Sequence, residues 1–187
     1  MIRRATPADL PAIRTVARAS GFDGTDGDDP AYVAHLLDVG TIALALTESG
    51  EPAGFASALD VGGVTMLADL FVDPARQSRG TGRALLDAVF AGSARRMTFS
   101  SHDPRAIALY ARAGLSARWP LLYLRGSLSV AALTPVVTYA DAAAVEAAWT
   151  GIDRTGAYRL WCGGPDGRAL RVAGGVGAFD GGALCHA

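Results

Sequence analysis

The sequence contains no lysine; all 17 of its basic residues are arginine. That absence excludes a lysine nucleophile and the lysine of a Walker phosphate loop. Cysteine is nearly missing too. Cys162 and Cys185 are too few for a disulfide framework, and no Cys/His spacing suits zinc, so no metal site is expected. Their scarcity fits a reducing, cytoplasmic setting. No apolar run approaches the roughly 18–20 residues that a membrane span needs. The stretch Met1–Asp9 has two arginines but no apolar segment behind them, so no secretory signal is expected. Neither sign of charge dominates: the formal net charge is −1, which gives no reason to expect a nucleic acid or a membrane as partner.

What is present suits a folded core. Half of the 187 residues are hydrophobic and 19% are charged. At about 100–200 residues per domain, the length suggests one domain, or one domain plus a fragment.

Ile2–Arg4 can begin a strand, and Thr6-Pro7-Ala8-Asp9 opens a helix, with Thr6 as N-cap and Asp9 at the positive end. Gly21–Pro30 is a loop carrying Asp23, Asp26, Asp28 and Asp29, and Pro30 starts a second helix. Thr41–Thr47 and Pro52–Leu59 read as a hairpin, and Val64–Val72 as the next strand. Gly80–Phe90 is a helix, Arg96–Ser100 a strand, Pro104–Ala113 a helix and Trp119–Leu124 a strand. The order β-α-α-β-β-β-α-β-α-β predicts an α/β (α+β) fold with a mixed sheet and helices on it. It predicts a first domain over 1–125 and a linker over 126–134.

A partial second repeat is expected over 135–187. Tyr139-Ala140-Asp141 echoes Pro7-Ala8-Asp9, each ahead of a helix, and Arg159–Cys162 with Ala169–Val172 reads as a second hairpin. Chance similarity in an alanine-rich chain is the competing explanation. Such a copy stops before any phosphate loop.

The chemistry concentrates between Leu67 and Leu86. A strand ending Val72-Asp73-Pro74 runs into Ala75-Arg76-Gln77-Ser78-Arg79-Gly80-Thr81-Gly82-Arg83, which opens a helix. Backbone N–H groups and a positive helix end converge there, and Gly80 and Gly82 permit close approach, so a pyrophosphate is the natural ligand. Arg76, Arg79 and Arg83 add positive charge. A Walker loop fails at Arg83-Ala84, and a dinucleotide fingerprint fails at Leu85.

The string Gln77-x-x-Gly80-x-Gly82 after such a strand resembles the acetyl-CoA loop of the GNAT acetyltransferases. Asp103-Pro104-Arg105-Ala106, then Tyr110, then Gly114-Leu115, is similar to that superfamily's Asn-x-x-Ala, Tyr, Gly-Phe signature. The resemblance spans about residues 1–125, and the whole chain resembles the front part of two-domain members.

The resemblance implies acetyl transfer from acetyl-CoA to an amine of a small molecule or peptide by direct attack. The segment Gln77, Ser78, Arg79, Gly80, Thr81, Gly82 and Arg83 would hold the pyrophosphate. Leu70, Phe71 and Val72 would offer backbone N–H groups to pantetheine and to the thioester carbonyl. Asp103, in place of the usual asparagine, would contact pantetheine or simply cap its helix. Tyr110 would protonate the departing thiolate, although Ile107, Tyr110, Ala111 and Gly114 also mark a buried stripe. Asp69 shares a strand face with Leu67 and Phe71 by simple alternation. It is either the general base, a lone carboxylate among apolar neighbours, or a carboxylate bonded to a nearby loop. His35 and His102 are the alternatives for that base. The acidic loop would attract a cationic amine or be plainly solvated. A non-catalytic acyl-CoA-binding module competes with the enzyme, and residues 135–187 could instead cover a sheet edge or build a homodimer.

Overall fold

The computed structural model describes residues 1–21, 29–118, 136–164, 167–172, 175–179 and 184–186. The chain forms two compact units, Met1–Leu121 and Leu122–Ala187. The expected strand Trp119–Leu124, the boundary at 125 and the linker 126–134 lie outside the described residues, as does the acidic loop up to Asp28.

The first unit has strands β1 (Ile2–Arg4), β2 (Gly40–Leu46), β3 (Pro52–Asp60), β4 (Thr65–Val72) and β5 (Arg96–Thr98). Its helices are α1 (Leu10–Ala19), α2 (Pro30–Val39), α3 (Thr81–Val89) and α4 (Pro104–Arg112). The strands lie in numerical order, antiparallel from β1 to β4, with β5 parallel to β4. This is the mixed sheet that the element order predicted.

Each helix start has a local cause. The backbone N–H and hydroxyl of Thr6 both donate to Asp9 Oδ2, at 2.8 and 3.0 Å, fixing a 3-10 turn at Pro7–Asp9 that leads into α1. Asp29 caps α2 by accepting from Ala31 N at 3.0 Å. Asp103 caps α4 by accepting from Arg105 N at 2.8 Å.

The sheet is covered on both faces, and the two faces differ in side-chain size. Ile42, Leu44 and Phe55 point to one face and bury Ile13, Val16, Val33 and Leu36 of α1 and α2. Ala43, Ala45, Ala56 and Ala58 point to the other, against Leu85, Leu86 and Val89 of α3. Small residues there let α3 sit close. Gly54 goes further: a Cβ on it would lie 2.7 Å from the Phe71 carbonyl oxygen and 3.1 Å from Leu85 Cδ1.

The alternation breaks in β4. Ser57 pairs with Asp69 but Ala58 pairs with Leu67, so Ala68 is an extra residue and β4 carries a bulge. Beyond Leu67, β4 also loses β5, which pairs only with Thr65–Leu67. The two strands splay there.

The second unit has β6 (Val136–Val137), α5 (Tyr139–Thr150), α6 (Thr155–Trp161), β7 (Arg168–Val172), β8 (Gly175–Phe179) and β9 (Leu184–His186). Its antiparallel sheet runs β6-β7-β8-β9. The order β-α-α-β-β-β is that of β1 through β4. The cap is repeated as well: Thr138 Oγ1 accepts from Asp141 N at 3.1 Å and donates to Asp141 Oδ2 at 2.7 Å. One expectation fails. Arg159–Trp161 is helical, not a strand, because buried Tyr158 and Trp161, one turn apart, anchor α6 in the small core with ring centroids at 5.6 Å. The hairpin is β7–β8 instead. Among the described residues no helix is long and apolar enough to cross a membrane, and no cluster suits a metal ion.

Candidate active site

The splay between β4 and β5 opens a cleft of about 730 Å³ between β4, the loop ahead of α3, and α4. Of the residues expected to hold a cofactor, it gathers Leu70, Val72, Gln77, Ser78, Gly80, Thr81, Gly82, Arg83 and Asp103, and it includes Tyr110. Two expected residues lie elsewhere. Phe71 turns its ring to the opposite face, 5.4 Å from the ring of Phe55. Arg79 borders a separate depression with Met1, Leu46 and Ala53.

The loop is built for close approach. Gly80 has φ of 81° and Ser78, without glycine's freedom, has φ of 63°. Alternating backbone hands of this kind turn successive N–H groups toward one point, and α3 begins at Thr81 directly beyond. At Gly82 a Cβ would stand 3.5 Å from Leu109 Cδ2 and 3.7 Å from Val72 Cγ2, so a larger side chain would fill the cleft. The pieces fit an acyl-CoA: an anion cradle at one end and an apolar channel of Leu70, Val72 and Leu109 leading from it.

Three of the arginines are tied by side-chain partners. Arg76 pairs with Asp73 at 3.3 Å. Arg83 pairs with Asp87 at 2.9 Å and donates to the Arg112 carbonyl. Arg105 and Arg112 line the cleft from α4, and the sequence reading missed both as cleft residues. Their spacing of i−4 and i+3 from Leu109 was the available signal. Arg105 grips Asp103 at 2.8 Å and donates to Gln77 Oε1 at 2.9 Å, while Gln77 Nε2 donates to the Val72 carbonyl. The Arg105 guanidinium and the Arg105 backbone N–H hold the Asp103 carboxyl below the usual carboxylate range.

Tyr110 lies beside the core with Leu109 and Ala113, but Ile107 is 51% exposed, so the expected buried stripe does not run through it. The helix instead turns Leu109 and Tyr110 inward over the splay. Burial pushes the Tyr110 phenol up; the Thr98 hydroxyl opposes this, and the negative charge of Asp69 adds to it.

The bulge decides where Asp69 points. Leu67 faces α3, whereas Ala68 and Phe71 pack with α1 and α2, so Asp69 shares a face with Phe71 and not with Leu67. Nor is it alone among apolar groups: Ser57 Oγ donates to Oδ2 at 2.6 Å and the Tyr32 hydroxyl at 3.1 Å. His35 sits half-buried on α2, where burial lowers its pKa against the pull of Asp38; His102 is exposed ahead of α4. Neither lines the cleft.

Residues 38–114, which contain this cleft, match the family model of the acetyltransferase (GNAT) domain.

Over those residues the chain is similar to the GNAT acetyltransferase domain.

Over 111 residues the chain is 40% identical to mycothiol acetyltransferase of Clavibacter sepedonicus and 45% identical to that of Clavibacter michiganensis. The matched stretch is 58% of this chain but only 33% and 32% of those relatives, so the chain spans about a third of their length. An aminoglycoside N-acetyltransferase crystallised with CoA superposes with a TM-score of 0.56 at 21% identity, covering 68% of this chain and 95% of that one. A Pyrococcus horikoshii protein assigned to the acetyltransferases superposes with a TM-score of 0.70 at 18% identity, covering 95% of this chain and 66% of that one. These structures share the fold of the GNAT domain.

Proposed function

We propose that this chain transfers an acetyl group from acetyl-CoA to a primary amine of a small molecule by direct attack. The observation that carries the reading is the cleft, which joins the Gln77–Gly82 loop, the splayed end of β4 and Tyr110 in one continuous space. The loop N–H groups and the start of α3 would hold the pyrophosphate, and Leu70, Val72 and Leu109 would flank pantetheine. Acetyl-CoA supplies an activated thioester. A backbone N–H on the open edge of β4 would donate to its carbonyl oxygen as charge develops there, an effect worth about 3 kcal/mol. Asp69 would take the proton that the attacking amine loses. Tyr110 would give its own proton to the sulfur as the carbon–sulfur bond breaks. A raised phenol pKa keeps that proton in place at neutral pH.

The names of the relatives support a small acceptor rather than a peptide: mycothiol for the Clavibacter proteins and an aminoglycoside for the CoA-bound neighbour. Within the same reading, Leu122–Ala187 is a partial second copy of the GNAT front half. Its element order and its Thr138–Asp141 cap support this, and its described residues contain no phosphate loop.

Calorimetric titration with acetyl-CoA tests the site. Saturable binding is expected for the natural chain and none for folded Gly82→Trp. Thiol release with kanamycin and glucosamine as amines should then fall about a hundredfold or more in Tyr110→Phe. No binding at millimolar acetyl-CoA would sink the reading.

A further inference from the structure

Ser57 is a polar residue in the middle of the sheet, with 0% exposure, between Ala56 and Ala58. A hydroxyl buried that deeply must be bonded, and here both of its capacities go to a single residue. It donates to Asp69 Oδ2 at 2.6 Å and accepts from Asp69 N at 3.0 Å. These two bonds sit at the register slip, where Ser57 pairs with Asp69 and Ala58 with Leu67. The same Oδ2 takes a second donor: the Tyr32 hydroxyl donates to it at 3.1 Å from α2. That helix is itself seated by buried Val33 and Leu36. Asp69 is thus tied to the neighbouring strand and to a helix on one face. Its charge also reaches Tyr110 of α4.

We propose that Ser57 and Tyr32 are positioning residues that orient the Asp69 carboxylate toward the acceptor amine, making α2 a wall of the acceptor site. The proposal rests on the acetyltransferase reading and adds two residues that touch neither acetyl-CoA nor its cleft. Two hydrogen bonds to the carboxyl, with the Asp69 backbone held to the same serine, leave it little rotational freedom. A base held in one orientation meets the amine proton without first paying to reorient. The bulge supplies what simple alternation could not, because it turns Asp69 to the face where Tyr32 stands. Tyr32 and Tyr110 are the titratable groups that face Asp69 from α2 and α4.

The test uses Tyr32→Phe, which removes one oxygen and keeps the ring, beside Ser57→Ala and Asp69→Asn. Acetyl-CoA affinity, read by calorimetry, should be unchanged in all three, since none lines the cofactor cleft. With kanamycin and glucosamine as amine probes, kcat/KM should fall about tenfold or more in Tyr32→Phe and in Ser57→Ala. Each variant removes a donor to the ionised carboxylate, so the acidic limb of the pH profile should move up by about one unit. Adding Tyr32→Phe to Asp69→Asn should cost nothing further. If Ser57→Ala fails to fold, Tyr32→Phe alone decides. A Tyr32→Phe profile that superposes on that of the natural chain overturns the proposal and leaves the enzyme reading standing. Acetyl-CoA binding without thiol release on either amine overturns both.

Discussion

Asp9 shows how much one side chain can organise. Its carboxylate receives the Arg3 guanidinium at 2.8 and 2.6 Å and the Thr6 backbone N–H at 2.8 Å, joining β1 to the start of α1. The Arg3 guanidinium, first, and then the Thr6 groups hold this carboxyl far below the usual carboxylate range, against the cost of partial burial. A depressed pKa contributes stability above the unfolded value near 4 and loses it as pH falls below that value. Asp9→Ala should therefore cost about 1 kcal/mol at pH 7, the typical worth of a helix cap. The gap between variant and natural chain should narrow steadily below pH 4 in urea unfolding. A gap that stays constant down to pH 2 would contradict the assignment. Much at this scale was legible beforehand. Thr6, Asp103 and the Gln77–Gly82 string act through neighbours within a few positions, which a sequence displays directly. Asp69 was not legible, because its orientation depends on how β3 and β4 register, and Tyr32 lies 37 positions away.

The elements most exposed to test are the loop and α3. Ser78 and Gly80 both hold positive φ, but only Gly80 does so without a side-chain penalty. A Cβ at Gly80 would meet nothing within 4 Å, so Gly80→Ala should cost about 1–2 kcal/mol through backbone strain alone. Ser78→Gly should relieve strain and gain stability. Thermal melts of the two variants, which should shift in opposite senses, check this together. Element identity was largely readable in this half of the chain, because α3 and the strands repeat apolar residues at their own periods. It failed at Arg159–Cys162, where Leu-Trp-Cys is an apolar run too short to show a period. Only packing of Tyr158 and Trp161 into the second core selects the helix. Short segments carry too few periods for pattern to outweigh packing.

At the scale of the whole molecule, the two units divide the work. Every residue lining the cleft belongs to Met1–Leu121. The second unit encloses its own polar centre, with Glu146 only 5% exposed and bonded to Arg154 at 3.1 Å. Burial, and then the Glu146 carboxylate, push the neighbouring Tyr158 phenol upward. Glu146→Ala takes the carboxylate from the half-buried Arg154 guanidinium and should destabilise the second unit by about 2 kcal/mol. Acetyl-CoA affinity should stay the same. Differential scanning calorimetry with and without acetyl-CoA separates these effects: the transition lowered by the variant should be the one the ligand fails to raise. Loss of cofactor affinity in the folded variant would refute the division.

The extra residue at Ala68 works as a change of phase along one strand. Before it, an odd-numbered residue, Leu67, looks toward α3; after it, even-numbered Leu70 and Val72 do. A strand of constant phase would commit each wall to one kind of partner along its whole length. Here the same strand supplies a dry wall for a long thin donor and, one step earlier, turns a charge to the reverse side. Removing Ala68 would leave the composition almost untouched. It would nonetheless put Asp69 directly after Leu67 in regular alternation, still opposite Ser57, and so remove only the break in the ladder at which β4 bends.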